Sequence, residues 1–429
     1  MTVLTRRDVL RAVALTAAGA GAFPLVAACG AQPGKARAGG GLATSPAIRL
    51  VADRAARQPG ARIVQAFGTD LFAAMARTDD TAGNLLCSPY SVAVALGMTR
   101  NGARGSTAEE MDRVLHATSS ADLNAGLNAL TQHIDCLGVD AANSLWGQHG
   151  ERWERPFLHA LAESYGTGMR QVDYIDDSEA ARRAINTWTS NQTHTRIPQL
   201  IPPNIFDNTT RLVLVNAIYV KAPWAVPFVD GATKDEPFTR ADGSTVSVPM
   251  MRSDDQTPVA YARGAGWQAV DLPYDGGGLA MAVVVPDAGR LDEVMGRFDA
   301  AFLRAMLTGL QPTGVALRLP RWTFRTQVLL NDVLGDLGMP TAFTGRADFT
   351  GMTHDERLDI AAVVHEAFIA VDEHGTEAAA ATAVVMQATS GRITDVELTV
   401  DRPFLFVLHD TETGTPLFIG RVSDPTSGP

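Results

Sequence analysis

The sequence predicts a mixed α+β fold, in which helices dominate the first half of the chain and strands the second. Apolar residues recur at helical spacing mainly before residue 200, whereas alternating or short continuous apolar runs follow residue 210. This segregation favours α+β over a doubly wound parallel sheet. Neither a second linker nor an internal repeat interrupts the chain from Ala47 onward, so we expect one large domain over 47–429.

The individual elements follow from the same two periodicities. Helices are predicted at Gln65–Thr78, Ser91–Asn101, Thr107–His116, Glu154–Tyr165, Glu179–Gln192, Leu291–Arg297, Ala300–Leu310 and Gln327–Leu337. Strands are predicted at Arg211–Lys221, Trp267–Leu272, Leu279–Val285, Val315–Phe324, Leu358–Val371 and Val396–Val400. The last two strands, Pro403–Leu408 and Pro416–Val422, flank a turn that contains Gly414, which indicates a terminal hairpin.

Composition excludes several classes of protein. The chain has 429 residues, of which 46% are hydrophobic, so a wholly disordered chain is excluded. Its net charge is −11 and no basic run occurs, so we expect no nucleic-acid partner. The three cysteines are too few for a disulfide scaffold. Cys87 and Cys136 lie in apolar stretches and are interpreted as buried thiols, although the sequence leaves their pairing open.

The first 46 residues resemble an export signal followed by a tether. Arg6 and Arg7 begin a segment similar to a twin-arginine signal, and the apolar stretch 12–28 is too short and too interrupted for a membrane span. The sequence before Cys29 resembles a lipoprotein processing site, which predicts cleavage of residues 1–28 and lipidation of Cys29; a plain signal peptide with an incidental cysteine is the alternative. Residues 29–46 are then a flexible tether. We therefore expect an exported protein, either secreted or held on the extracellular face of the cell membrane only by a lipid on Cys29.

A search for catalytic motifs finds none. The chain has no Gly-x-Ser-x-Gly nucleophile turn, no phosphate-binding loop that ends in Lys-Ser or Lys-Thr, and no β-lactamase-type Ser-x-x-Lys. His365-Glu366 lacks the second histidine of a zinc protease, and the nine histidines are scattered without metal-ligand spacing. We therefore predict no enzyme activity, no metal and no cofactor.

The segment 372–386 can adopt two structures. Its alanine tract is typical of an exposed helix or spacer. At period two, however, Thr376 and Ala378 begin a row of uncharged side chains that could face a core, whereas Glu377 points to the other side. No proline occurs between Val371 and Val400, so nothing prevents this segment from joining a sheet. The pattern fits an exposed loop and a buried strand equally well.

Several motifs accompany this segment along the chain. In order they are 84–91 (NLLCSPYS), 102–111 (GARGSTAEEM), 185–188 (INTW), 197–201 (IPQLI), 214–221 (LVNAIYVK), 347–352 (ADFTGM), 363–368 (VVHEAF), 401–406 (DRPFLF) and 418–422 (FIGRV). In this order the motifs closely resemble those of the serpins, a family of serine protease inhibitors, and the resemblance covers nearly all of residues 47–429.

The resemblance implies one domain of three β-sheets and about nine helices, with an exposed reactive-centre loop between Thr376 and Val400 (about 373–400 with its hinge). It also implies a suicide-substrate mechanism, in which a serine protease cleaves the loop and is trapped as the acyl-enzyme when the loop inserts into the main sheet. We expect a monomer; whether a polyanion cofactor acts is left open. The alternative is a non-inhibitory serpin that binds or carries a ligand, but such members carry bulky, charged or proline residues where this chain has small ones.

Specific residues match the family's functional positions. A cluster that would hold the central strands of the main sheet together comprises Ser88, Ser91, Asn216 and His365. A charge pair at the top of that sheet matches Glu373 with Arg321, beside Trp224, and Arg321 stands where lysine is common. The loop hinge comprises Glu373, Gly375, Thr376, Glu377, Ala378, Ala379, Ala380 and Ala381.

Two positions compete for the cleaved bond. Counting the family's usual loop length forward from Glu373 reaches Thr389–Ser390, whereas counting backward from Phe404 reaches Arg392–Ile393. We prefer the forward count because the sheet fixes the length that must insert. Thr389–Ser390 suits an elastase- or subtilisin-like protease, and Arg392–Ile393 a trypsin-like one.

Overall fold

The structure is a computed structural model that describes residues 41–78, 83–253, 258–377 and 395–428. Within these ranges there are nine α-helices, as the family resemblance implies: α1 (Arg57–Thr78), α2 (Pro89–Arg100), α3 (Gly105–Val114), α4 (Ser120–Asp135), α5 (Arg155–Tyr165), α6 (Tyr174–Gln192), α7 (Leu291–Gly296), α8 (Ala300–Thr308) and α9 (Asn331–Leu337). Several begin at a capping side chain, since Ser88, Ser119 and Asp173 each accept a backbone N–H of the first turn. The fold class is α+β, as predicted.

The strands form three sheets. In chain order they are β1 (Gly41–Ala43), β2 (Leu85–Cys87), β3 (Val139–Gln148), β4 (Met169–Val172), β5 (Leu212–Val220), β6 (Ala222–Pro223), β7 (Lys234–Thr239), β8 (Thr245–Arg252), β9 (Val259–Gly264), β10 (Trp267–Pro273), β11 (Leu279–Pro286), β12 (Gln311–Thr313), β13 (Val315–Pro320), β14 (Trp322–Leu329), β15 (Ala362–Asp372), β16 (Gly375–Thr376), β17 (Val396–Thr399), β18 (Phe404–Asp410) and β19 (Pro416–Val422). The main sheet has eight strands in the order β1-β4-β3-β5-β15-β16-β6, with β14 also paired to β15. A seven-stranded sheet runs β12-β9-β10-β11-β18-β19-β2, and a four-stranded sheet runs β17-β13-β8-β7.

The centre of the main sheet is a parallel pair. β5 and β15 run in the same direction, with residues 213–218 opposite 362–367, whereas β3 and β14 flank them antiparallel. All nine residues of β5 are buried, which is typical of a strand covered on both faces. Helix α6 covers one face through a small core that includes Trp146, Ile185 and Ile197. The larger core lies on the other face and contains α1, α2 and the seven-stranded sheet.

The structure corrects several sequence predictions. The predicted helix at 327–337 is a strand to Leu329 followed by α9, and the predicted strand at 315–324 divides at Arg321 into β13 and β14. The terminal hairpin is confirmed by the pairing of β18 with β19. Cys87 is buried as predicted, but Cys136 is exposed at the end of α4, and no disulfide joins the two. The apolar residues around Cys136 in the sequence therefore led to a wrong prediction that this cysteine is buried.

Candidate functional site

Side chains from three neighbouring strands meet in one row across the main sheet. Asn143 of β3 lies opposite Asn216 of β5, and Asn216 lies opposite His365 of β15. Behind this row, α2 begins, and Ser88 and Ser91 of its first turn reach the same point. We call these five residues the sheet-opening cluster. Asn216, His365 and the two serines are fully buried.

Hydrogen bonds connect the whole cluster and define the protonation of His365. The backbone N–H of Ser88 donates to His365 Nε2 at 3.1 Å, so Nε2 must be unprotonated. The proton therefore lies on Nδ1, which donates to Asn216 Oδ1. The amide nitrogen of Asn216 donates to Ser91 Oγ at 2.5 Å and to Asn143 Oδ1 at 2.6 Å. Each contact crosses between a strand and its neighbour or the helix, so separation of β5 from β15 would break the chain of bonds.

Burial lowers the pKa of His365 from 6.5 to about 3. The imidazole is therefore neutral over the physiological range, in agreement with the hydrogen-bond pattern. His365 is a structural group in this arrangement.

The described part of the loop hinge lies at the top of the same sheet, and two of its residues are paired within that sheet. Beyond the 362–367 ladder, β15 pairs antiparallel with β16, so that Val371 faces Thr376. On its other side β16 pairs antiparallel with β6, which follows β5 directly. The hinge residues Gly375 and Thr376 thus occupy the position of an additional strand between the two central strands. The family resemblance places Thr376 at the start of the exposed loop, whereas the structure buries it to 1% exposure.

Two aromatic side chains, Trp224 and Tyr274, contact the hinge. Trp224 stacks on Tyr274 with 4.4 Å between ring centroids and donates from Nε1 to the carbonyl of Asp372 at 3.0 Å. The backbone N–H of Trp224 donates to His374 O. Tyr274 completes the contact, because its hydroxyl lies 2.5 Å from Thr376 Oγ1. These contacts therefore hold five residues together: Trp224, Tyr274, Asp372, His374 and Thr376.

Glu373 and Arg321 form the predicted charge pair. Arg321 Nε donates to Glu373 Oε1 at 2.8 Å, and the hydroxyl of Thr233 donates to the same oxygen. Burial alone raises the pKa of Glu373, but these hydrogen bonds outweigh it, and the pKa is lowered from its usual value. The carboxylate remains charged and fixes the turn between β15 and β16.

Comparison with known proteins identifies the architecture. The family model described as Serpin (serine protease inhibitor) matches residues 62–425. An uncharacterised serpin-like protein of Thermococcus kodakarensis is 36% identical over 86% of this chain and 87% of its own length. The leukocyte elastase inhibitor of Sus scrofa is 35% identical over 84% of this chain and 97% of its own. The chain belongs to the serpin family. The solved structure of the thermophilic serpin tengpin in its native state matches with a TM-score of 0.78 and 26% identity, over 89% of this chain and 97% of that one.

Several predicted site residues of this serpin lie outside the described residues. They are Cys29, Ala378, Ala379, Ala380, Ala381, Thr389, Ser390, Arg392 and Ile393. Within the described ranges, no group of three or more His, Cys, Asp or Glu side chains is placed to hold a metal ion, and no helix has the length and hydrophobicity to cross a membrane.

For the contacts described above, the sequence did not predict three polar partners: Asn143, Thr233 and Tyr274. Each is remote in sequence from the residue it contacts, with Tyr274 separated from Thr376 by 102 positions. No motif included them. Only strand register, which places Asn143 opposite Asn216, could have indicated the first.

Proposed function

We propose that this serpin inhibits a serine endopeptidase as a suicide substrate, by inserting its cleaved loop between β5 and β15. The observation that carries the proposal is the position of Gly375 and Thr376, which are paired antiparallel between β15 and β6. A loop that continued from Thr376 in this direction would separate the 362–367 ladder and pair with both central strands. The small residues 376 and 378–381 suit entry into a crowded sheet.

The length of the segment fits the mechanism. Residues 375–388 number fourteen and would span roughly 46 Å at about 3.3 Å per residue. A protease joined to the end of this segment as an acyl-enzyme would be carried from one end of the sheet to the other. Hydrogen bonds contribute about 0.5–1.5 kcal/mol each, so a dozen new ones supply on the order of 10 kcal/mol before entropy. That energy is available to distort the protease before the ester is hydrolysed.

The proposed target is an elastase- or subtilisin-like protease, cleaving Thr389–Ser390. The preference rests on the loop sequence, and the resemblance to leukocyte elastase inhibitors supports it. Cleavage at Arg392–Ile393 by a trypsin-like protease is the alternative.

The test is incubation of the full chain with elastase, subtilisin and trypsin, followed by denaturing gels and mass spectrometry of the released peptide. Inhibition yields a covalent complex that survives denaturation, and a peptide beginning at Ser390 or Ile393 identifies the bond. Thr376→Arg, which places a cation in the buried position beside Tyr274, should convert the inhibitor into a cleaved substrate. Thr245→Arg, on an exposed strand position, is the matched control. Cleavage without a complex by all three proteases would instead favour a non-inhibitory binding or carrier serpin.

We also propose that the protein is exported through its twin-arginine-like segment and anchored by a lipid on Cys29. The support is the sequence of residues 1–29 alone. In a bacterium with twin-arginine export, the wild-type chain should partition into detergent with the membrane fraction, whereas Cys29→Ala should be released in soluble form. Equal partitioning of the two chains would contradict lipidation.

A further inference from the structure

Glu377 ends the described part of the hinge in an unusual conformation. Its backbone N–H donates to Ala370 O at 3.0 Å, which continues the pairing of β16 with β15 by one residue. Its φ of 49° then lies in the left-handed region, which a non-glycine residue rarely adopts. The chain therefore leaves the extended path at Glu377, directly after the two paired residues.

The side chain of Glu377 is held as well. Only 6% of it is exposed, and its Oε2 lies 3.0 Å from Arg196 Nε in an ion pair. Tyr219, near the end of β5, faces both groups. Burial, followed by the Glu377 carboxylate, raises the pKa of Tyr219 to about 12, while Arg196 acts in the opposite direction. The phenol is therefore protonated and able to donate to the carboxylate.

Arg196 is presented by a tight turn in the segment that follows α6. His194 and Thr195 both have positive φ, and the N–H of Arg196 donates to Thr193 O at 2.8 Å. The next residue, Ile197, is fully buried in the core beneath α6. The tight turn and the buried side chain of Ile197 therefore fix the position of the Arg196 backbone, from which the guanidinium extends.

This contact opposes further insertion of the loop. For β16 to lengthen, Glu377 must change from left-handed to extended backbone, and its carboxylate must move relative to the fixed backbone of Arg196. We propose that Arg196 and Tyr219 are positioning residues that hold Glu377 and stop the loop after two residues have entered the sheet. The proposal rests on the insertion mechanism above. We call Arg196, Tyr219 and Glu377 the latch. In this proposal the latch holds the uncleaved loop together with the sheet-opening cluster.

The experiment measures how fast a synthetic peptide with the sequence of residues 375–388 enters the sheet of the intact full-length protein, followed by native gel. Arg196→Ala and Glu377→Gln should each accelerate entry about fivefold, the effect expected for a partly exposed ion pair. Arg196→Lys, which keeps the cation, should restore most of the wild-type rate, as should the exchanged pair Arg196→Glu with Glu377→Arg. Arg183→Ala is the matched control, because Arg183 is an exposed arginine of α6 that pairs with Glu179 instead.

Hydrogen exchange of the Glu377 amide tests the latch independently of the inhibitory mechanism. Faster exchange of this amide in Arg196→Ala than in Arg183→Ala supports the latch even in a protein that inhibits no protease. Wild-type exchange and wild-type peptide entry in Arg196→Ala would overturn it. Acceleration in Arg196→Ala that neither the lysine variant nor the exchanged pair reverses would also overturn it, since Arg196 would then act on something other than Glu377.

Discussion

At the scale of single residues, His365 makes the sheet-opening cluster sensitive to acid. Its pKa is lowered from 6.5 to about 3, so below pH 6.5 the unfolded chain binds a proton that the native cluster does not. The stability that the neutral form contributes is present above pH 6.5 and is lost as the pH falls toward 3. Between pH 6.5 and pH 5 the native state should lose about 2 kcal/mol. Urea unfolding across this range measures the loss, and His365→Gln should flatten it; an equally steep decline in that variant would contradict the assignment.

His409 should behave in the opposite way. Burial alone lowers its pKa, but Asp271, 2.9 Å from Nε2, and Asp410 outweigh burial and raise it. Its Nδ1 faces the carbonyl of Asp410, so both ring nitrogens face acceptors, and only the charged imidazole can donate to both. A raised pKa gives stability that is complete below 6.5 and is lost as the pH rises through the native pKa. His409→Gln should therefore destabilise the protein more at pH 6 than at pH 8.5 in urea unfolding, and an equal loss at both would count against a charged His409.

At the scale of elements, the short strand β16 depends on Gly375. Its φ is 150°, and a Cβ at this position would lie 2.2 Å from the carbonyl oxygen of Ala222, in the paired strand β6. Gly375→Ala should therefore expel the hinge from the sheet, slow insertion and raise the number of inhibitor molecules cleaved per protease trapped severalfold. Titration against the target protease measures this ratio. Gly345→Ala, where no atom lies within 4 Å of the added Cβ, is the control, and an unchanged ratio in Gly375→Ala would exclude pairing of β16 as a requirement.

The sequence predicted elements better than it predicted their boundaries and partners. The strong periodicity of α2 and α6 and the terminal turn gave the right element types. Helix α4 was missed although Leu123, Leu127 and Leu130 recur at helical spacing, because polar residues between them dilute the signal. β3 was missed because Asn143 and Ser144 interrupt its apolar run, yet β3 lies directly beside the central pair of the main sheet. Asn143 makes the polar contacts of the sheet-opening cluster, and the same polar residue weakened the local signal that would have revealed the strand.

The sequence predicted the site residues that match the family's functional positions, but not the others. His365, Asn216, Ser88 and Ser91 were placed by family motifs, and the structure brings them into contact. Arg196 was not singled out, because its partner Glu377 is 181 positions away and the ion pair depends on how the segment after α6 crosses the sheet. Periodicity predicted that Glu377 faces away from Thr376 in an extended strand, but the strand ends at Thr376, and no pattern indicated that Arg196 contacts Glu377.

At the scale of the whole molecule, the proposed mechanism requires β5 and β15, which pair directly over residues 362–367, to separate so that the loop can pair between them. Gly375 and Thr376 pair with β15 and β6 at the top of these strands, and cleavage of the loop should allow the following residues, up to 388, to pair in the same way. Under the proposed mechanism insertion gains on the order of 10 kcal/mol, so we predict that the uncleaved fold is stable kinetically rather than at equilibrium.

Heat stability before and after nicking measures this gain. With an unfolding entropy of roughly 2 cal/mol/K per residue, 10 kcal/mol corresponds to an increase in Tm of about 10 °C for a domain of this size. Calorimetry of the intact chain and of the chain nicked within 378–394 by a non-target protease should show that difference. Thr376→Arg should retain the Tm of the intact protein after nicking, because a charged side chain at this buried position opposes entry into the sheet. A wild-type chain whose Tm is unchanged by nicking would mean that its loop does not insert, and the proposed suicide-substrate mechanism would then be excluded for this serpin.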